Sequence, residues 1–300
     1  MSIKCYLLSP RGFCSGVHRV VNMTEQVLKL YNTVYITEDI IHNKMFMSDA
    51  TRKGVIKVSS IDDVPDGAAF MFSAHGASPK AIAKAEEKEL IVIDGTCPIV
   101  KSIQNEVKAE AESGKKIIII GNRSHAEIVA LIGYTDCENV FVVYDEADID
   151  LLPDFTDDEV VYFTQTTLDC SCVDVMIKKL KEKIPHLESN SQNNICSATK
   201  ERQEVVRRVA SLTDLVIVVG SSHSSNAKRL CEIALSAGAK NAVLIDSQND
   251  LDEVVLDGVK TMALTSSAST PENVVQDLTE HLKSKFGIIV EDFEIPKTDG

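Results

Sequence analysis

Short runs of β-branched and aromatic residues alternate along the chain with longer stretches whose apolar positions recur every three or four residues. The runs are Val34-Tyr35-Ile36, 70–72, 91–93, 117–120, 140–143, 160–163, 215–219 and 242–245. Strand signals separated by helical ones predict α/β units built on parallel sheets. Three helical stripes stand out: Val17, Val20, Val21, Val27 and Leu28 after Cys14; Ile99, Ile103, Val107 and Ala111 after Cys97; Val205, Val206, Val209 and Leu212 after Cys196. Each of these cysteines therefore sits just ahead of a helix.

The same three cysteines reveal a repeat. Twenty-eight residues beyond them stand His42, His125 and Ser224, each in a polar loop after an apolar strand. Each third then runs through another helix and strand to a second polar loop: Ser73-Ala74-His75-Gly76, Thr164-Gln165-Thr166-Thr167 and 265–269. The chain reads as three diverged copies of one unit. The expected lobes are 1–95, 96–194 and 195–286, with the tail 287–300 adding a strand that packs back on the first, and 296–300 frayed. The polar run 188–194 marks the second joint. Three such lobes about one axis would bring three cysteines and six loops together at the carboxyl ends of strands, where open α/β sheets bind ligands.

Composition narrows the chemistry. The 300 residues are 44% hydrophobic and 25% charged, ordinary for a globular protein. A formal net charge of -14 argues against nucleic-acid binding, which leans on clustered Lys and Arg. No segment approaches a membrane span, and the N-terminal residues lack the apolar stretch of a signal peptide, so a cytoplasmic location is expected. Eight cysteines in a reducing compartment are thiols, ligands or redox groups before they are disulfides.

Cys14, between Gly12 and Gly16, and Cys97, in Asp94-Gly95-Thr96-Cys97-Pro98, lie where glycines permit close backbone approach and a helix N-terminus favours thiolate. Equivalence in the repeat sets Cys14, Cys97 and Cys196 apart as metal ligands. Cys5, Cys137 and Cys231 read as core fillers. Cys170 and Cys172 form a close pair outside the repeat register. Three thiolates can hold zinc with an open position, or a cubane cluster with one iron left without a protein ligand.

The loops carry donors for a diphosphate. Ser78-Pro79 and Thr270-Pro271 each read as a cap with proline at the first helical position, while Ser224-Ser225-Asn226 opens another helix with two hydroxyls and an amide. His42, His75 and His125 occupy separate loops as ligand contacts. Glu127 is the one carboxylate in this set, and a carboxyl group shut away from water can stay protonated and deliver a proton.

Taken in order, Arg11-Gly12-Phe13-Cys14-Ser15-Gly16-Val17, His42-Asn43, Ser73-Ala74-His75-Gly76, Gly95-Thr96-Cys97-Pro98, His125-Ala126-Glu127, Thr164-Gln165-Thr166-Thr167-Leu168, Ile195-Cys196, Ser224-Ser225-Asn226 and Ala268-Ser269 resemble the 4-hydroxy-3-methylbut-2-enyl diphosphate reductases, across nearly the whole chain. The resemblance implies three similar α/β domains in a pseudo-threefold trefoil around a central 4Fe-4S cluster. Cys14, Cys97 and Cys196 would hold one cluster per chain, its fourth iron open to the substrate hydroxyl. His42, His75, His125, Thr166, Ser224, Ser225, Asn226 and Ser269 would surround the substrate, with Glu127 in the proton relay. Reduced ferredoxin or flavodoxin would supply the electrons. The chain departs from the family pattern at His18, where an acidic residue is common, at Gly95, where alanine is usual, and at Ala126, where proline is general. Two other readings compete: a zinc hydrolase with Glu127 as base, and a sensor whose cluster only signals.

Overall fold

The computed structural model describes residues 3–189, 194–253 and 256–294. Its strands are β1 (Lys4–Leu8), β2 (Val34–Ile36), β3 (Val55–Lys57), β4 (Ala69–Phe72), β5 (Ile91–Asp94), β6 (Lys116–Ile120), β7 (Val140–Val143), β8 (Val160–Thr164), β9 (Glu188–Ser189), β10 (Leu215–Val219), β11 (Asn241–Ile245), β12 (Thr261–Ser266) and β13 (Ile289–Phe293). The helices are α1 (Ser15–Tyr31), α2 (Lys44–Arg52), α3 (Pro79–Glu87), α4 (Pro98–Glu112), α5 (Ala126–Ile132), α6 (Glu146–Asp150), α7 (Cys170–Lys183), α8 (Ser197–Ala210), α9 (Ser225–Ser236) and α10 (Glu272–Phe286). All eight sequence-predicted strands form. None of the helices is long and apolar enough to cross a membrane among the described residues.

The strands assemble into three sheets of one order: β3-β2-β4-β5, β7-β6-β8-β9 and β11-β10-β12-β1-β13. Every pairing is parallel. The expected fold class, three similar α/β lobes, is what these sheets display. The lobe boundaries need a correction. Residues 4–8 are not part of the first lobe, because β1 pairs with β12 (Lys4↔Thr261 to Leu7↔Leu264) and takes the place in the third sheet that β5 and β9 hold in the others. The tail likewise packs on the third lobe, through β13 against β1. β5 holds the fourth place beside β4, and β1 holds the equivalent place beside β12. Residues 190–193 of the second joint and 295–300 of the tail lie outside the described residues.

The chain divides into two compact units. Met1–Ser15, His42–Met45 and Ser197–Gly300 form one, around the third sheet; Gly16–Ile41 and Phe46–Cys196 form the other, around the first two. In the unit with the third sheet, Ile217 and Leu264 face α10 residues Val275, Leu278 and Leu282, while Val216, Val218 and Ala263 face α8 and α9 through Val206, Val209, Leu230 and Ile233. In the other unit, Ile118 and Ile120 join Val173, Met176 and Leu180 of α7, whereas Ile117 and Ile119 join Ile103 and Val107 of α4 and Ile128 and Leu131 of α5. Sheets covered on both faces explain why these strands read as unbroken apolar runs rather than alternating ones. Leu212 is an exception among the stripes: α8 ends at Ala210, and Leu212 lies beyond it, exposed.

Candidate active site

Every repeat cysteine follows the fourth strand of one sheet and immediately precedes a helix: β1 then α1, β5 then α4, β9 then α8. Its backbone N–H donates to a carbonyl in the second polar loop of that same sheet. Cys14 donates to Ala268 at 3.0 Å, Cys97 to Ala74 at 3.0 Å and Cys196 to Thr166 at 3.2 Å. Three loops that read as unrelated in composition thus perform one structural task, tying a cysteine to the end of the neighbouring strand. All three thiols are half-buried.

The remaining cysteines separate clearly. Burial pushes the Cys5 and Cys231 thiols up to about 12, so both stay protonated and inert, as core fillers should. Cys137 is exposed, which corrects its reading as a core residue; it sits in the turn between α5 and β7. Cys170 packs, partly buried, against the core of the second sheet, and Cys172 is exposed.

In the two-sheet unit, His75 follows β4 in a tight turn closed by Gly76 N–H to the Ser73 carbonyl at 3.2 Å. The Ser73 hydroxyl lies 3.3 Å from His75 Nδ1 and accepts the His75 N–H at 3.3 Å. The His75 and His125 rings meet edge to face, centroids 5.6 Å apart. His125 caps α5: its Nδ1 accepts the Glu127 N–H at 3.3 Å, so the neutral ring carries its proton on Nε2. Glu127 is 2% exposed, its carboxylate accepting both the Thr166 N–H and the Thr166 hydroxyl at 2.8 Å. Burial pushes this carboxyl up to about 7 against the pull of those two bonds. Since the Thr166 carbonyl accepts the Cys196 N–H, one residue joins the acid to a cysteine loop.

In the other unit, the third polar loop is a web of hydroxyls. Ser267 Oγ lies 3.1 Å from Ser269 Oγ and 3.0 Å from Thr270 Oγ1, and Ser269 donates to the His42 carbonyl at 3.0 Å. Thr270 turns its hydroxyl to the Val219 carbonyl at 2.8 Å, and Pro271 rather than Thr270 holds the cap position of α10. The expected Thr270 cap is therefore corrected, whereas Ser78 does cap α3 with Pro79 at its first position. Ser224 caps α9 through the Ala227 N–H at 3.3 Å. Asn226 is buried, and among the described residues neither its amide nitrogen nor its oxygen has a partner. An unpaired buried amide costs about 1–3 kcal/mol, a cost that a polar ligand relieves.

Two of the buried polar groups that sequence reasoning missed follow the repeat. Gln104 and Gln203 both stand seven residues after their cysteines, a regularity present in the repeat but not counted. Gln104 lies where a Cβ on Gly76 would come within 2.0 Å of its Nε2. Gly76 has φ +89, so Gly76→Ala is expected to cost about 1–2 kcal/mol, read as a lower urea midpoint, and to disturb the His75 turn. Among the departures, Ala126 occupies the first position of α5, where proline also fits, and His18 is a surface residue 3.0 Å from the Asn22 amide. Gly95 matters more: a Cβ there would sit 2.2 Å from the Phe72 carbonyl, so the alanine usual at this place does not fit without a backbone shift.

The model of the family described as LytB protein matches residues 5–283. The chain belongs to the LytB family. Curated LytB relatives include one from Actinobacillus pleuropneumoniae serotype 3, 39% identical over 93% of this chain and 89% of its own. Another, from Tropheryma whipplei, is 40% identical over 94% and 90%. Both are named 4-hydroxy-3-methylbut-2-enyl diphosphate reductase. The E-1-hydroxy-2-methyl-but-2-enyl-4-diphosphate reductase structure from Plasmodium falciparum superposes with a TM-score of 0.95, 36% identity and coverage of 100% of this chain and 94% of that one. A second structure, of (E)-4-hydroxy-3-methyl-but-2-enyl diphosphate reductase, described as the terminal enzyme of the non-mevalonate pathway, gives 0.66 at 26% identity, covering 94% and 99%.

The donor set of this LytB chain suits a cluster. Three soft thiolates favour iron–sulfur or zinc over hard cations.

Proposed function

We infer that the chain is an oxidoreductase, 4-hydroxy-3-methylbut-2-enyl diphosphate reductase, converting its substrate to isopentenyl and dimethylallyl diphosphate with two electrons and two protons and releasing water. Cys14, Cys97 and Cys196 hold one 4Fe-4S cluster in this reading, and that cluster, when bound, supplies the electrons. The observation carrying the reading is the threefold repetition of the cysteine-to-loop bond, with one of the three loops presenting Thr166 to Glu127.

Each remaining residue has a task of its own. Ser224, Ser225, Asn226 and Ser269 bind the diphosphate as neutral donors, which matter in a chain whose net charge of -14 repels anions overall. His42, His75 and His125 orient the ligand; His125, with its proton on Nε2, acts as donor. Glu127 delivers the proton to the departing hydroxyl, because a carboxyl at about 7 still carries its proton over much of the neutral range. Thr166 holds that carboxyl in place. Electrons come from reduced ferredoxin or flavodoxin in the cytoplasm, where the eight thiols stay reduced.

Anaerobic purification with iron and sulfide analysis, followed by a reduced-dye assay on 4-hydroxy-3-methylbut-2-enyl diphosphate, tests the reading. Near four irons per chain with turnover is expected. Zinc without sulfide, or a loaded protein that neither binds nor turns over the diphosphate, sinks it in favour of the hydrolase or the sensor.

A further inference from the structure

Gln104 is fully buried, at 0% exposure, and among the described residues neither its amide nitrogen nor its oxygen has a partner. Its neighbours along α4, Val100, Ile103 and Val107, are buried apolar residues. In the first copy of the repeat the same place, seven residues after the cysteine, is taken by Val21. Packing here therefore does not call for an amide. With both ends unpaired, a buried amide is less stable than an apolar side chain of its size.

That amide stands against the His75 turn. Gly76, at φ +89, packs so closely on it that a Cβ would come within 2.0 Å of Nε2. The turn is tied down two residues earlier: the Ala74 carbonyl accepts the Cys97 N–H at 3.0 Å, and the Ala74 N–H donates to the Ile40 carbonyl at 3.2 Å. Gly76 also lines a cavity of about 200 Å³, together with Glu38, Ser73 and Ser78. The turn thus has room to shift at Gly76 while Ala74 stays fixed.

We propose that Gln104 is a positioning residue for the substrate: when the diphosphate engages His75, the turn shifts about Ala74 and its backbone takes up the Gln104 amide. A hydrogen bond made only in the bound state adds to affinity. This rests on the reading of His75 as a substrate contact. The test uses the full chain, purified anaerobically and held without reductant, so that 4-hydroxy-3-methylbut-2-enyl diphosphate binds without turnover. Gln104→Met and Gln104→Leu remove the amide and keep its approximate volume; the better folded of the two is read. Without ligand, its urea midpoint is expected at or above wild type, because no bond is lost. Its affinity for the diphosphate, measured by calorimetry, is expected to fall about tenfold, a loss of about 1.4 kcal/mol. In a His75→Ala background the same substitution is expected to change affinity little, since the two residues act as a pair. Urea midpoints well below wild type in both variants would show the amide already bonded in the free protein and would overturn the proposal. Undiminished affinity, or an equal loss in the His75→Ala background, would overturn it too. Wild-type protein that does not bind the diphosphate would refute the substrate reading itself, and this proposal with it.

Discussion

Glu127→Gln is expected to keep its full iron and sulfide content and to lose turnover by about 10²–10⁴-fold, the usual worth of a positioned acid. The amide matches the carboxyl in size and still accepts from Thr166, so the contact between α5 and the Thr166 loop survives. What it lacks is a proton to give. The pH dependence gives the assignment a second handle. With the carboxyl at about 7, the protonated form prevails below that value and is lost as pH rises through it. Wild-type turnover should therefore fall on the alkaline side of about 7, and the small residual rate of Glu127→Gln should show no such limb. Stability carries the same sign: the folded state holds this proton more tightly than the unfolded chain does. Wild-type stability should thus decline relative to Glu127→Gln as pH rises from about 4.5 through about 7. Measured rates with full alkaline activity in the variant would remove Glu127 from the proton path.

Cys97→Ser is the companion experiment with the opposite pattern. The substitution leaves the backbone N–H bond to the Ala74 carbonyl and the start of α4 at Pro98 in place, so the apo-fold should melt close to wild type. A neutral hydroxyl is a poor substitute for thiolate toward iron. Iron and sulfide content should collapse, and activity with it, to background. Cys14→Ser and Cys196→Ser should behave alike, because all three share the same backbone bond. Cys231→Ser should retain its cluster, its thiol being held protonated in the core. A Cys97→Ser protein with normal iron content and rate would break the ligand assignment.

Much of this was legible in the residues themselves. The apolar runs announced strands, the stripes after Cys14, Cys97 and Cys196 announced helices, and the constant spacing to His42, His125 and Ser224 announced a repeat. These features are local: a strand or helix declares itself through the period of its own side chains. The roles of Cys5 and Cys231 were equally accessible, since an ordinary cysteine is most often buried. Cys137 and Thr270 were misread because burial and hydroxyl direction depend on neighbours distant in the chain, here a surface turn and the Val219 carbonyl.

What the sequence by itself determined was the repeat, its parallel strand–helix units and the residue types able to bind a cluster and a diphosphate. Only the tertiary structure decided that β1 belongs with β12 and β13, since residues more than 250 positions apart in the chain pair through backbone groups that every sequence possesses. It alone closed water off from Glu127 and so raised its proton affinity, and it alone set the Gln104 amide against Gly76. Periodicity is written into neighbouring side chains, whereas desolvation and charge placement arise only when distant segments enclose the same small volume.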